Sequence, residues 1–256
     1  MTASYWLFWP QVNAPPQASS SPTRPEAGAG AIETRGERRR RETRDRLLDA
    51  ALQLMAERSV EGVTIGEIAA AADIAVGSFY NHFQSKEDIH ATLVDVVFET
   101  FADALDEQIG QSTDPAEVIG ISVYLTLSRA KADPLWGQFL AREGFSPQFI
   151  SGRGLGYRLY RDLQRGIASG RFRPADPFMS FLAVGSTVVG TLVAEVALDR
   201  ASSELRKLSE TDSASLPRRA VILVLQLLGL DAGEASALAG KLSDAAPPAP
   251  PLLKSK

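Results

Sequence analysis

The sequence predicts an all-α protein in two parts, an N-terminal three-helix unit carrying a helix-turn-helix and a larger helical domain behind it. Three observations carry this prediction. No stretch alternates apolar and polar residues as a half-buried strand would. Asp114-Pro115, Asp133-Pro134 and Asp176-Pro177 share one helix-starting device, an N-cap carboxylate ahead of a proline whose missing N–H costs nothing at the first helical position. Near the N-terminus, two short helical segments lie on either side of a turn of three or four residues.

In chain order, residues 11–34, QVNAPPQASSSPTRPEAGAGAIET, hold almost nothing to bury, and residues 1–37 are expected to be a disordered extension. Tyr5, Trp6, Phe8 and Trp9 ahead of that stretch read as part of a floppy end. Leu48, Ala51, Leu52 and Met55 recur at helical spacing, predicting a first helix over residues 42–58. Thr64 and Glu67 form a capping box, and Val63 and Ile68 stand where a hydrophobic staple would, so a second helix starts at Thr64 and ends near Ala72. Asp73 to Ala75 make a tight turn, and a third helix is expected from Val76 to Phe83. Ser85, with Asp88 three residues on, caps a fourth that reaches Gln108. Further helices are expected over residues 115–131 (Glu117 completing a box with Asp114), 134–143, 156–169, 177–200 and 217–229. The domains are then 38–90 for the helix-turn-helix, 91–243 for the larger helical part and 244–256 for a disordered Pro-rich tail.

Composition narrows the function classes. A formal net charge of -4 gives no global basic signal, so any affinity for nucleic acid must be local. The absence of cysteine excludes disulfides, thiolate zinc sites and cysteine nucleophiles, and fits a cytoplasmic location. The start MTASYWLFWP has no basic n-region, which argues against secretion. Phe178 to Ala194 is uncharged, but Ser180, Ser186, Thr187 and Thr191 dilute it and Glu195 closes it, so a buried helix is expected rather than a membrane span.

The third helix carries the unusual chemistry. Phe79 and Phe83 should face a small core with Ile74, leaving Gly77, Ser78, Tyr80, Asn81 and His82 outside. That face lacks the usual Lys and Glu and offers short donors and acceptors suited to phosphate oxygens and base edges. Gly77 weakens a helix by about 1 kcal/mol relative to alanine, so its bare backbone is taken to permit close approach of a partner. The run RGERRRRETRDR, including Arg40 and Arg41, supplies positive charge before and within the first helix, suited to phosphates or a minor groove. Lys86 adds a cation at the start of the fourth helix.

The stretch VTIGEIAAAADIAVGSFYNHFQSKEDI, and more loosely residues 43–97, resembles the DNA-binding domain of the TetR family of bacterial transcriptional regulators. Thr64, Ile68, Ala69, Gly77, Ser78, Phe79, Tyr80, His82, Phe83, Ser85, Lys86 and Glu87 match the family's motif in order. The resemblance implies that Thr64, Lys86, Tyr80 and His82 contact phosphate, while Gly77, Ser78 and Asn81 approach bases or backbone. Ala75 departs from the pattern, standing where a serine often caps the reading helix. The match covers about a fifth of the chain. For the larger part the resemblance implies about six helices that bind a small-molecule effector and dimerise, the segments 177–200 and 217–229 forming a four-helix bundle with a second copy. IASGRFRPADP would be the loop before the penultimate long helix, and Gly185 and Gly190 would allow close helix approach.

An effector pocket would draw on Phe98, Phe101, Tyr124, Trp136 and Phe139. Arg142 and Glu143 could serve an acidic or basic ligand group, but an exposed ion pair is the expected reading. His82 and His90 have no clustered partners, so no metal or cofactor is expected, and Ser78 with His82 lacks the enclosed pocket that nucleophilic catalysis needs. GRGLG, residues 152–156, follows no strand and has no lysine in the right place for a phosphate loop. The expected function is non-enzymatic: a cytoplasmic, homodimeric regulator that reads a palindromic operator in double-stranded DNA and answers a small molecule, a repressor by resemblance, though nothing in these residues excludes activation. The competing reading is an all-α small-molecule carrier or enzyme whose N-terminal helices are purely structural.

Overall fold

A computed structural model describes residues 34–110, 112–144, 154–197, 202–209 and 215–242. The disorder expected for residues 1–33 and 244–256 lies outside them. The chain divides into two compact units after Glu42. Of the first, residues 34–42 are described. They begin α1 (Arg35–Glu57), seven residues before the expected start. The cause is a second capping box: the Glu37 amide donates to Thr34 Oγ1 at 3.2 Å, and the Thr34 amide to Glu37 Oε2 at 2.9 Å. Arginines, good helix formers, fill the turns that follow.

The described residues of the second unit form helices joined by turns, with no strand among them. After α1 come a 3-10 turn at Val60–Gly62, α2 (Ile65–Ala71), α3 (Val76–Phe79) and the long α4 (Lys86–Ile109). Then follow α5 (Pro115–Ala132), α6 (Pro134–Glu143), α7 (Gly154–Ala168), α8 (Pro177–Ala197), α9 (Ser203–Ser209), α10 (Leu216–Leu227) and α11 (Ala232–Gly240). The three aspartates do cap their helices, accepting from the Ala116, Trp136 and Met179 amides at 2.9, 3.2 and 3.0 Å. Glu117 does not close a box with Asp114; it accepts the Ser112 hydroxyl at 3.0 Å, while Asp114 is gripped by Arg171.

The helix-turn-helix has a closed core. Leu47, Leu48, Ala51, Leu52 and Met55 of α1 bury against Val63, Ile68, Phe79, Phe83, Ile89 and Leu93. Arg44 stacks its guanidinium 4.4 Å from the centre of the Phe83 ring. The turn is a Schellman motif: the Ile74 amide bonds to the Ala69 carbonyl and the Asp73 amide to that of Ala70, with Asp73 at φ 54°. α3 is shorter than expected. Regular helix ends at Phe79, and turn hydrogen bonds to Ser78 and Phe79 carry the chain to Phe83.

Behind this head, α10 packs on α5, α8 and α11. Gly120 of α5 lies against α10, where a Cβ would stand 3.4 Å from Val221 Cγ1, an ordinary contact distance. Gly166 of α7 lies under the Phe172 ring, where a Cβ would fall 1.9 Å from Cδ2. The expectation that α8 is a buried helix is corrected: only 22% of Pro177–Glu195 is buried. Phe181, Val184 and Leu192 face the core, while Phe178, Met179 and Val193 are exposed, as are Leu223 and Leu227 of α10. Pro177–Glu195 is the one stretch among the described residues long and apolar enough to cross a membrane. Gly190 stands in open space on that outer face.

Candidate nucleic-acid interface and cavity

α3 and the turns after it present the predicted face. Phe79 and Phe83 are buried and 5.8 Å apart, which turns Gly77, Tyr80 and Asn81 outward and leaves Ser78 and His82 half-buried. Tyr80 is 58% exposed, its ring set edge-on to Phe79 at 5.5 Å. Gly77 has nothing within 4 Å of where a Cβ would stand, so no internal packing requires a glycine there. Ala75 caps α3 with an extended backbone and no side-chain bond, so the usual cap is missing.

Two predicted phosphate contacts already have internal partners. Thr64 Oγ1 donates to Glu67 Oε2 at 2.8 Å and accepts the Glu67 amide at 3.2 Å, so its hydroxyl holds the start of α2. Hydrogen bonds from Arg58 and Thr64 lower the Glu67 carboxyl to about 2, keeping it charged for this role. Lys86 Nζ reaches the Glu61 carbonyl at 3.4 Å, a long bond that an anion can displace. Arg40 and Arg41 are exposed on the first turns of α1, within the first unit.

α4 runs from this head into the rest of the unit. Its later turns, with α5, α6, α7 and α8, wall a cavity of about 1060 Å³ counting its open mouth. Val94, Phe98, Leu140, Val184 and Val188 make it apolar. Of the five aromatic residues expected there, Phe98 alone borders it. Phe101 packs on Trp136 at 4.7 Å, Phe139 on Phe98 at 5.7 Å, and Tyr124 is buried in the core, so these four are spent on packing.

Along one side of the cavity runs a ladder of ion pairs. Arg158 of α7 meets Glu99, Asp103 and Asp106 of α4 at 3.0, 2.5 and 2.8 Å. Arg161 joins Asp106 and the buried Asp162, both at 2.9 Å. The sequence carried its signal: acids at i, i+4 and i+7 on α4 oppose arginines three residues apart on α7. Arg142 and Glu143 are not the exposed pair expected. Arg142 donates Nε–H to the Ala56 carbonyl at 2.8 Å and an Nη2 hydrogen to that of Glu57 at 2.7 Å, closing the end of α1. Glu143 borders the cavity, with Oε1 3.1 Å from His90 Nε2 of α4. Among the described residues no three His, Asp or Glu side chains converge as metal ligands.

Comparison with known proteins adds to this geometry. Residues 47–92 match the family model described as bacterial regulatory proteins, tetR family, and residues 114–241 that of a tetracyclin repressor-like C-terminal domain. The transcriptional repressor KstR2 of Mycolicibacterium smegmatis is 32% identical over 143 residues, 51% of this chain and 68% of that protein. The regulator TcmR of Streptomyces glaucescens is 36% identical over 70 residues, 27% of this chain and 31% of TcmR. Several such matches span less than a third of the relative's length. Among solved structures, RolR in complex with the ligand resorcinol is similar with a TM-score of 0.57 and 27% identity, over 82% of this chain and 99% of RolR. The fatty acid degradation regulator FadR from Bacillus halodurans is similar at 0.55 and 25%, over 73% of this chain and 94% of that one.

Proposed function

The chain belongs to the TetR family of bacterial regulatory proteins, and we propose that it is a cytoplasmic, DNA-binding repressor of transcription, released from a palindromic operator by a small apolar effector. One observation supports both halves of this reading: α4 starts at Lys86 beside the reading face and ends as a wall of the apolar cavity, with Phe98 on its inner side. A molecule in the cavity that favours one setting of α4 biases the head by its difference in affinity between the two settings. Asn81, Ser78 and Gly77 are the proposed base and backbone contacts, and Tyr80, Lys86, His82, Arg40 and Arg41 the phosphate contacts. Thr64 acts through the capping box that holds α2. The exposed apolar faces of α8 and α10 suit a two-fold homodimer, which would set two heads one helical turn of DNA apart. The likeness to RolR supports an aromatic alcohol or a molecule of similar size as effector.

Footprinting on the DNA flanking the protein's own gene, for wild type and the Tyr80→Ala/Lys86→Ala double variant, tests the reading. Protection of a palindrome by wild type, lost in the variant, is expected. Equal, weak binding of both proteins to all DNA, there and in a genome-wide selection of bound fragments, overturns it.

A further inference from the structure

We propose that Glu143 is the polar anchor of the cavity, accepting a hydrogen bond from a hydroxyl or amine group carried by an otherwise apolar effector. This rests on the effector reading of the cavity and adds to it which chemistry the wall selects. Arg158, Asp162 and Thr126 at the wall have partners within the protein. Arg158 is held by Glu99, Asp103 and Asp106, Asp162 is held by Arg161, and the Thr126 hydroxyl donates to the Ser122 carbonyl at 2.7 Å.

Glu143 is in a different position. Its side chain is 14% exposed, and its neighbour His90 is 15% exposed. Glu143 Oε1 and His90 Nε2 approach to 3.1 Å, and Nε2 has no hydrogen-bond partner. A carboxylate set at an apolar wall and largely withdrawn from water can only accept, so a group that pairs with it must bring a proton donor. An effector carboxylate would meet like charge there. Val94, Phe98, Leu140, Val184 and Val188 around it favour an apolar body.

Isothermal titration calorimetry on the full chain tests this with four size-matched probes: 4-propylphenol, 4-propylbenzylamine, the donor-free 4-propylanisole and 4-propylbenzoate. In wild type the phenol or the amine should bind at least about tenfold tighter than the anisole, as expected for a hydrogen bond to a charged group, with the benzoate weakest. Which of the two binds better tells whether the donor is neutral or cationic. In Glu143→Leu, phenol, amine and anisole should bind alike. Glu143→Gln keeps the shape and serves if the leucine variant does not fold; there the preference for the amine over the anisole should fall severalfold. Neither variant should melt below wild type, whereas a carboxylate kept only for its pair with His90 would be missed on melting. Equal binding of phenol, amine and anisole by wild type, or a preference that survives Glu143→Leu, overturns the anchor and leaves the effector reading standing. Failure of the folded wild type to bind any probe overturns both.

Discussion

Arg142 in α6 holds the last carbonyls of α1, with Nε 2.8 Å from the Ala56 oxygen, and so ties the cavity's wall to the head's first helix. A guanidinium at a helix C-terminus fills acceptors that the helix itself leaves open and offsets the negative end of its dipole. Arg142→Ala should lower unfolding stability by about 1 kcal/mol, read by thermal melts. It should also shrink the change in operator affinity that an effector produces, since Glu143 beside it borders the cavity. Arg142→Lys, which keeps the charge but not the fork, should fall between the two.

Lys86 and Asn81 should fail in different ways. Lys86→Ala should weaken binding to all sequences and reduce the slope of log affinity against log salt by about 0.9. Asn81→Ala should cost about 1–3 kcal/mol and relax preference at one base pair. Fluorescence anisotropy on operator variants across salt separates them. An unchanged slope for Lys86→Ala would assign that side chain to the Glu61 carbonyl instead.

Gly166→Ala should destabilise the protein by about 1–3 kcal/mol, because the new methyl group would overlap the Phe172 ring. Phe172→Leu in the same chain should recover part of that loss in denaturant titrations.

Asp73 holds a left-handed backbone that glycine adopts freely. Asp73→Gly should raise stability by up to about 1 kcal/mol and leave DNA affinity unchanged, since the turn keeps its shape.

Hydrogen bonds from Arg171, chiefly, hold the Asp114 carboxyl below the usual aspartate range. With the folded value depressed, the contribution is complete above the unfolded value of about 3.9 and drains away as pH falls through the folded one. Arg171 also reaches Glu234 at 2.7 Å, joining α5 to α11. Arg171→Gln should therefore lower the melting temperature at neutral pH and flatten its fall as pH drops below about 4.

What the sequence disclosed follows from how far apart the interacting residues lie. Capping boxes, Asp-Pro starts and the spacing of Phe79 and Phe83 act within a turn or two, and their helices stand where those signals put them. The short helices α9 and α11 were not foreseen, although α11 has a readable start, Asp231 accepting the Glu234 amide at 2.9 Å three residues on. Aromatic side chains at helical spacing look alike whether they line a space or fill it, and Trp136, Phe139, Phe101 and Tyr124 fill it. Arg142 finds its partners 85 and 86 residues away, a distance that no local pattern spans.

α4 has a practical consequence for anyone exchanging parts between regulators. The boundary expected between residues 90 and 91 falls inside α4, and no linker is available there to cut. A transplant of this head that stops at His90 would sever a continuous helix and leave the Ala56 and Glu57 carbonyls without their arginine. The exchangeable cassette is therefore the head together with α4 and α6, and a recipient body must supply an arginine in the place of Arg142 or accept a loosened α1.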